Sequence, residues 1–335
     1  MKRWIIPIIA LLILGGGVTA YLGYDWYRRG LQPASPGGDP KIVRIPEGAS
    51  VERITEMLYE ETLILDPRAF KLMLRREGLG GSLQAGVFEI SPAMTGEEIA
   101  RHIAEGRVAM QRLTIPEGLR LTQIAERVDR AELAEADALE ATAVGEVIDN
   151  DFTMPLPEGT LEGYLFPETY DFRYDAGPEA MIRRMVRELE NRFYRPYQEE
   201  IAARGLSLHE IITLASLVER EAVLDAERAI IAGVIQNRLD RGMKLQIDAT
   251  VQYALPEHKD RLLFRDLTVD SPYNTYLHEG LPPGPIASPG LPSLLAALRP
   301  ASTEAYFYVA RPDGSHVFTP TYGEHLRAIE RIRGG

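Results

Sequence analysis

The chain has 335 residues, 45% of them hydrophobic, which is enough for two or three domains with cores of their own. Its net charge is −12, and no Lys/Arg-rich run or basic–aromatic interleaving occurs, so a nucleic-acid partner is excluded. Cysteine is absent, which excludes disulfides, thiolate zinc sites and cysteine nucleophiles.

Lys2 and Arg3 precede an uncharged stretch from Trp4 to Tyr24, long enough to span a bilayer as a helix. Trp4, Tyr21, Tyr24, Trp26 and Tyr27 stand at its ends, where interfacial aromatics belong. Residues 4–24 are therefore expected to be a transmembrane helix, with 1–3 as a cytoplasmic tail. Lys2, Arg3 and the terminal amine outweigh Arg28 and Arg29, which Asp25 dilutes. Val18-Thr19-Ala20 resembles a signal-peptide cleavage site, but apolar residues continue past it and aromatics close the segment. A single membrane pass with the remaining mass exported is the expectation; the family resemblance given below implies the inner membrane, with the catalytic part in the periplasm. Residues 25–40 read as a linker, because Gln32–Pro40 is rich in Pro and Gly and should be extended and mobile.

An internal repeat comes next. Lys41–Ile45 leads into Pro46-Glu47-Gly48, then Val51, Ile54, Met57 and Leu58 at helical spacing. Arg112–Ile115 leads likewise into Pro116-Glu117-Gly118, then Leu121, Ile124 and Val128. A third copy runs Gly86–Ile90, Ser91-Pro92, Ile99 and Ile103. Each copy predicts a strand, a tight turn and an amphipathic helix; Pro restricts φ before the turn and Gly permits φ > 0. The unit resembles the LysM glycan-binding fold, and either a glycan-binding or a purely supporting role is open to it. The expected divisions are a LysM-like α/β subdomain over 41–111 and a second strand–helix unit with connector over 112–160. The Ala- and acid-rich stretch 131–153 is read as the helical connector. Residues 161–335 should form a mostly helical catalytic domain with short strands at Met243–Ile247, Tyr306–Ala310 and His316–Thr319. Pro312-Asp313-Gly314 should turn between the last two. The fold class is α+β.

Familiar catalytic motifs fail. His209-Glu210-Ile211-Ile212-Thr213 lacks the second histidine of a helical zinc site, and Gly205–His209 lacks the closing glycine of a nucleophile elbow. No phosphate-binding glycine loop is present, so no metal and no cofactor is expected.

Attention falls instead on His209–Asp240, which reads as one long amphipathic helix pattern. At roughly 100° per residue, Glu221 lies with Leu214, Leu217 and Val218 on the apolar stripe, while Glu219 points about 160° away from it. Burial disfavours the charged form of a carboxyl and raises its pKa. A carboxyl that stays protonated near neutral pH can donate a proton, as glycosidic cleavage requires. Glu221 is the candidate catalytic residue; taken alone it could equally be a paired carboxylate at a helix interface.

Four more segments carry polar groups that helix packing does not require: Glu162–Tyr170, Leu245–Thr250 with Tyr253, Ser271–Tyr276 with Gly280–Ile286, and His316–Phe318 with Thr321, Glu324 and His325. Strand alternation places Gln246, Asp248 and Thr250 on one side. Aromatic faces, amides and hydroxyls on proline-stiffened loops suit a sugar, and rigid loops lose less entropy on binding. Gln246, Asp248, Thr250, Tyr253, Tyr273, Asn274, Thr275, Tyr276, Pro285 and Ile286 are the expected substrate-binding residues. Glu219 is counted with them, although its position off the stripe predicts pairing with an arginine or loop donors. Asp248, the nearby second carboxylate, reads as a substrate-positioning or structural residue.

The block Leu214–Glu221, Asn237-Arg238-Leu239, Gly242–Asp248, SPYNTY at 271–276, GLPPGPI at 280–286 and EGYLFPETY at 162–170 resembles the YceG-like endolytic murein transglycosylases (MltG). The resemblance covers nearly the whole chain and maps the family's catalytic glutamate onto Glu221. It implies cleavage of the MurNAc–GlcNAc β-1,4 bond inside nascent peptidoglycan strands, with 1,6-anhydroMurNAc ends that terminate elongation. It also implies peptidoglycan strands, the inner membrane and peptidoglycan synthases (penicillin-binding proteins) as partners. The competing expectations are a muramidase that uses water and a non-catalytic, membrane-anchored wall-binding scaffold. Ala222, Ala249 and Ser288 depart from the family pattern, which often has Thr or Ser, Pro and Asn there.

Overall fold

The structure is a computed structural model that describes residues 2–148 and 152–334, with side chains described at residue 11 and from residue 13 onward. The chain divides into two compact units, Met1–Gln111 with Arg173–Asp175, and Arg112–Phe172 with Ala176–Gly335. The class is α+β, mostly helical, with small two-stranded sheets.

The first unit begins with α1 (Lys2–Gly30), followed by β1 (Lys41–Ile45), α2 (Val51–Glu60), α3 (Pro67–Glu77), β2 (Gly86–Ile90) and α4 (Gly96–Ala104). β1 and β2 pair antiparallel with Val43 opposite Phe88, and their alternate residues point into one core. Ile54, Leu58, Phe70, Met73, Leu74, Ile99 and Ile103 complete that core from the helices. The helix starts are capped as their sequences demand. Ser50 accepts from Arg53 N, Asp66 accepts from Arg68 N and Ala69 N ahead of Pro67, and Thr95 and Glu98 form a reciprocal capping box.

Among the described residues, no helix is long and apolar enough to cross a membrane. The span expected over 4–24 falls in its first half on side chains outside the described residues. The stretch read as a mobile linker is docked instead. α1 continues to Gly30, Leu31 is buried, Gly96 N donates to Leu31 O, and Ser35 N donates to Pro92 O. Its backbone groups find partners on the unit, which composition could not reveal.

The second unit contains most of β3 (Met110–Thr114), α5 (Leu121–Arg130), α6 (Ala136–Thr142), α7 (Gly145–Ile148), most of β4 (Thr169–Arg173), α8 (Gly177–Leu189), α9 (Gln198–Ala203), α10 (Leu208–Glu221), α11 (Arg228–Asp240), α12 (Asp248–Ala254), α13 (Leu291–Leu298), β5 (Phe307–Ala310), β6 (His316–Thr319) and α14 (Tyr322–Gly334). All three strand–turn–helix copies form, and Gly48 and Gly118 take the positive φ their turns require. Of the connector expected over 131–153, α6 and α7 are helical, and 149–151 lie outside the described residues. α10, α11 and α13 pack on one another around Ile211, Leu214, Leu217, Ile231, Val234 and Leu294, all fully buried.

Two expectations are corrected. The single helix read over His209–Asp240 is two, because the chain leaves helical geometry at Ala222 (ψ 125°) and re-enters at Arg228. Met243–Ile247 is not a strand. Arg238 takes the carbonyls of Lys244 and Leu245, Gln246 N donates to Thr275 O, and Gln246 sits at φ +51°. Those groups are claimed by a side chain and a loop, so no neighbouring strand is available to pair with them. Asp248 and Thr250 consequently lie on helix α12, where two-residue alternation does not apply.

Candidate active site

The break after α10 sets the position of Glu221. It is the last residue of the helix, beside carbonyls that have no helical partner, and the negative end of the helix dipole disfavours a second negative charge there. Its carboxyl lines a cleft of about 350 Å³. Tyr308, in the middle of β5, donates its hydroxyl to Glu221 Oε2 at 2.8 Å. Burial pushes the Glu221 carboxyl above the usual range, and the charge of Asp248 pushes it further; the Tyr308 hydrogen bond pulls the other way.

Asp248 opens α12 on another wall of the cleft and accepts the Tyr276 hydroxyl at Oδ1, 2.6 Å. Burial first, and the neighbouring carboxylates with it, push both phenols up, so Tyr276 and Tyr308 stay protonated donors at neutral pH. Each carboxyl in the cleft is thus held by one phenol, and one of the two carboxyls raises the proton affinity of the other.

The framework is fixed by backbone capture. Arg238, on α11, donates Nε to Tyr306 O and a terminal nitrogen to Leu245 O, each at 2.6 Å, and lies over the Phe307 ring at 5.1 Å. One guanidinium therefore ties β5 to the loop that carries Gln246. His316 backs Tyr308 edge-on at 5.5 Å and is itself paired with Glu227 at 2.7 Å. Phe307, Tyr322 and His325 form an aromatic wall opposite, with Phe307 and His325 stacked at 5.4 Å.

The sequence-predicted residues separate into four groups. Glu221, Gln246, Asp248 and Tyr276 come together in the cleft. Thr250, Asn274, Thr275 and Ile286 are buried beneath it, and their polar groups hold the framework. Thr275 Oγ1 accepts Ile247 N at 3.0 Å and shares a hydrogen bond with Thr250 at 2.9 Å. The Asn274 amide donates to Leu267 O and Val269 O, and Ile286 N donates to Ser216 Oγ. Tyr253, Tyr273 and Pro285 lie elsewhere: Tyr273 and Pro285 line a separate cavity, and Tyr253 packs against Tyr273 at 4.7 Å. The Glu219 side chain, nearly covered, pairs with Arg228 at 3.1 Å and accepts Gly290 N at 3.0 Å, just before α13. The pairing predicted for it is present, away from the cleft residues.

Tyr308, Arg238, Leu245, Phe307 and Tyr322 line the cleft without having been singled out individually. Tyr308 carried a local signal only as the centre of an expected strand. His325 belonged to a segment noted for its polar content.

A profile of the YceG-like family matches residues 43–331. This chain belongs to that family. The YceG-like chain is 36% identical to an endolytic murein transglycosylase of Bacillus subtilis, over 86% of its own length and 84% of the relative's. An endolytic murein transglycosylase of Streptococcus pneumoniae is 30% identical across 96% of the YceG-like chain and 63% of the longer streptococcal protein. A crystal structure of a yceG-like protein from Listeria monocytogenes is 35% identical and superimposes with a TM-score of 0.59, covering 87% of this chain and all of that one.

Proposed function

We propose that this YceG-like chain is an endolytic lytic transglycosylase that cuts the MurNAc–GlcNAc β-1,4 bond within peptidoglycan strands and leaves 1,6-anhydroMurNAc ends. The observation that carries the chemistry is the Glu221 carboxyl at the end of α10, its proton affinity raised by burial and by Asp248, with one oxygen held by Tyr308. Glu221 donates its proton to the glycosidic oxygen as positive charge develops at C1. Asp248, tied down by Tyr276, faces that charge and steadies it. Glu221, now a carboxylate with Tyr308 donating to it, takes the proton of the substrate's own C6 hydroxyl as that oxygen closes on C1. The nucleophile belongs to the sugar, so no carboxylate has to activate water. Its similarity to endolytic murein transglycosylases supports this reading over hydrolysis.

The remainder of the proposal concerns placement. The stretch 4–24 anchors the chain in the inner membrane, with the catalytic unit outside and near the wall synthases, where cutting ends strand growth. The charge pattern of Lys2 and Arg3 supports it, as do the exposed apolar side chains Leu11, Ile13, Leu14, Val18 and Leu22 on α1. The LysM-like reading of 41–111 belongs to the same proposal.

The test is Glu221→Gln, which keeps the shape and removes the transferable proton. Muropeptide analysis of uncrosslinked glycan should show anhydro ends, lighter by one water than hydrolytic ends, with the parent and none with the variant. Hydrolytic ends would establish a muramidase, and intact strands with the parent would establish a scaffold. Extraction of membranes at alkaline pH should leave the full chain in the pellet; recovery in the supernatant would remove the anchor.

A further inference from the structure

We propose that a second cavity on the catalytic unit, walled by Tyr273, Pro283, Pro285 and Glu162, is a distal N-acetylhexosamine subsite that grips the glycan away from the bond being broken. The inference rests on the transglycosylase reading and names a place for more of the same polymer. The cavity measures about 440 Å³ and shares no lining residue with the Glu221 cleft.

Both cavities are nevertheless built on the same two segments. α12 presents Asp248 to the cleft and, further along, Tyr253 to the rings beside the second cavity, a rise of roughly 7.5 Å along the axis. The loop before it in space carries Tyr276 at the cleft and Tyr273 at the second cavity.

The walls are stiff. Gly163 sits at φ +81° so close to Pro285 that a Cβ there would stand 2.3 Å from the proline Cβ. His209 uses both ring nitrogens, one with Tyr164 Oη and one with Pro283 O, each at 3.0 Å, which fixes the proline edge. The Tyr253 ring, packed beneath Tyr273, is covered by the Arg120 guanidinium at 4.9 Å. Tyrosine and proline faces held in this way offer apolar surface to the C–H face of a pyranose at small entropic cost.

Glu162 supplies the polar contact. Its carboxyl is buried and accepts Leu121 N at 3.0 Å, which caps α5, and Tyr253 Oη lies 3.4 Å from its other oxygen. Burial pushes it up to about 7, against the Leu121 amide and Arg120. It thus presents either a donor or an acceptor near neutral pH, and a sugar hydroxyl satisfies both. An ammonium ligand would need the ionised form alone, and Arg120 already supplies positive charge to that carboxyl.

Binding is measured on the full chain carrying Glu221→Gln with probes that lack the MurNAc–GlcNAc bond, so that the result does not depend on whether Glu221 is catalytic. The probes are the dimer and hexamer of β-1,4-linked N-acetylglucosamine. The hexamer should bind more tightly than the dimer and shift the Tyr273 ring resonances, a readout that needs no further substitution. Tyr273→Ala should weaken the hexamer about ten-fold, the loss of one stacked ring, and Tyr273→Phe should retain the affinity. Unmoved Tyr273 resonances, equal hexamer affinity in Tyr273→Ala, or displacement of the hexamer by free lysine would each overturn the proposal. If Glu221→Gln still cut strands while these binding results held, the catalytic assignment would fall and the subsite would stand.

Discussion

Tyr308→Phe isolates one hydrogen bond and predicts two linked effects. The substitution keeps the ring and its edge-on contact with His316 at 5.5 Å, so β5 retains its packing. What is lost is the 2.8 Å donation to Glu221 Oε2. A hydrogen bond to an ionised group is worth about 1.5–3 kcal/mol. Because it favours the carboxylate, its loss raises the proton affinity of Glu221 further. Glu221 acts as an acid and works only while protonated, so activity falls as pH rises through its already elevated pKa. That alkaline limb should move upward by about one to two pH units, at about 1.4 kcal/mol per unit. The same energy appears in the rate, since the bond strengthens as the proton leaves. On the plateau kcat should drop about 10- to 100-fold. The assay is the initial rate of anhydro-end formation from uncrosslinked glycan against pH. A limb that stays in place or moves to lower pH would refute the reasoning, as would an unchanged plateau.

Asp248→Asn should shift the same limb the opposite way, to lower pH. The like charge that holds the proton on Glu221 is gone, while the amide oxygen can still accept from Tyr276; a shift in the same direction as Tyr308→Phe would contradict this electrostatic division. Glu190, fully buried after α8, tests stability rather than catalysis. Burial alone would raise its carboxyl, but Thr153, Arg187 and Met154 N donate to it and hold it down to about 2. A folded-state pKa below the ordinary 4.5 means that the stabilisation is complete above that value and is lost as pH falls toward 2. Glu190→Gln should therefore cost about 3–5 kcal/mol at pH 7 and flatten the acid side of the stability curve; urea melts at pH 7 and pH 3 that show parallel losses would count against it.

Much of the local structure was written in the chain. The three strand–turn–helix units follow from hydrophobic spacing and, in two of them, from glycines at positions that demand positive φ, because these are short-range consequences of sterics and periodicity. The place of Glu221 on its helix was legible for the same reason, since helical phase puts it with Leu214, Leu217 and Val218. The break that follows it was not legible, because Ala222–Glu227 contains neither Pro nor Gly, and the helix ends where tertiary packing turns the chain. Met243–Ile247 had the composition of a strand and failed to become one because Arg238 and Thr275 hold its backbone groups.

The sequence by itself determined which residue types could do the chemistry: one glutamate on an apolar stripe, a set of tyrosines and amides on stiff loops, and no cysteine to offer another route. Tertiary structure alone decided which of them meet. Tyr308 lies 87 residues from Glu221 in the chain, and Tyr276 lies 28 from Asp248, so no periodicity links either pair. Thr250, Asn274 and Thr275 looked like ligands for sugar and are instead buried supports for the cleft. A hydroxyl or amide has the same composition whether it faces a substrate or a backbone amide, and only the packing around it selects the partner.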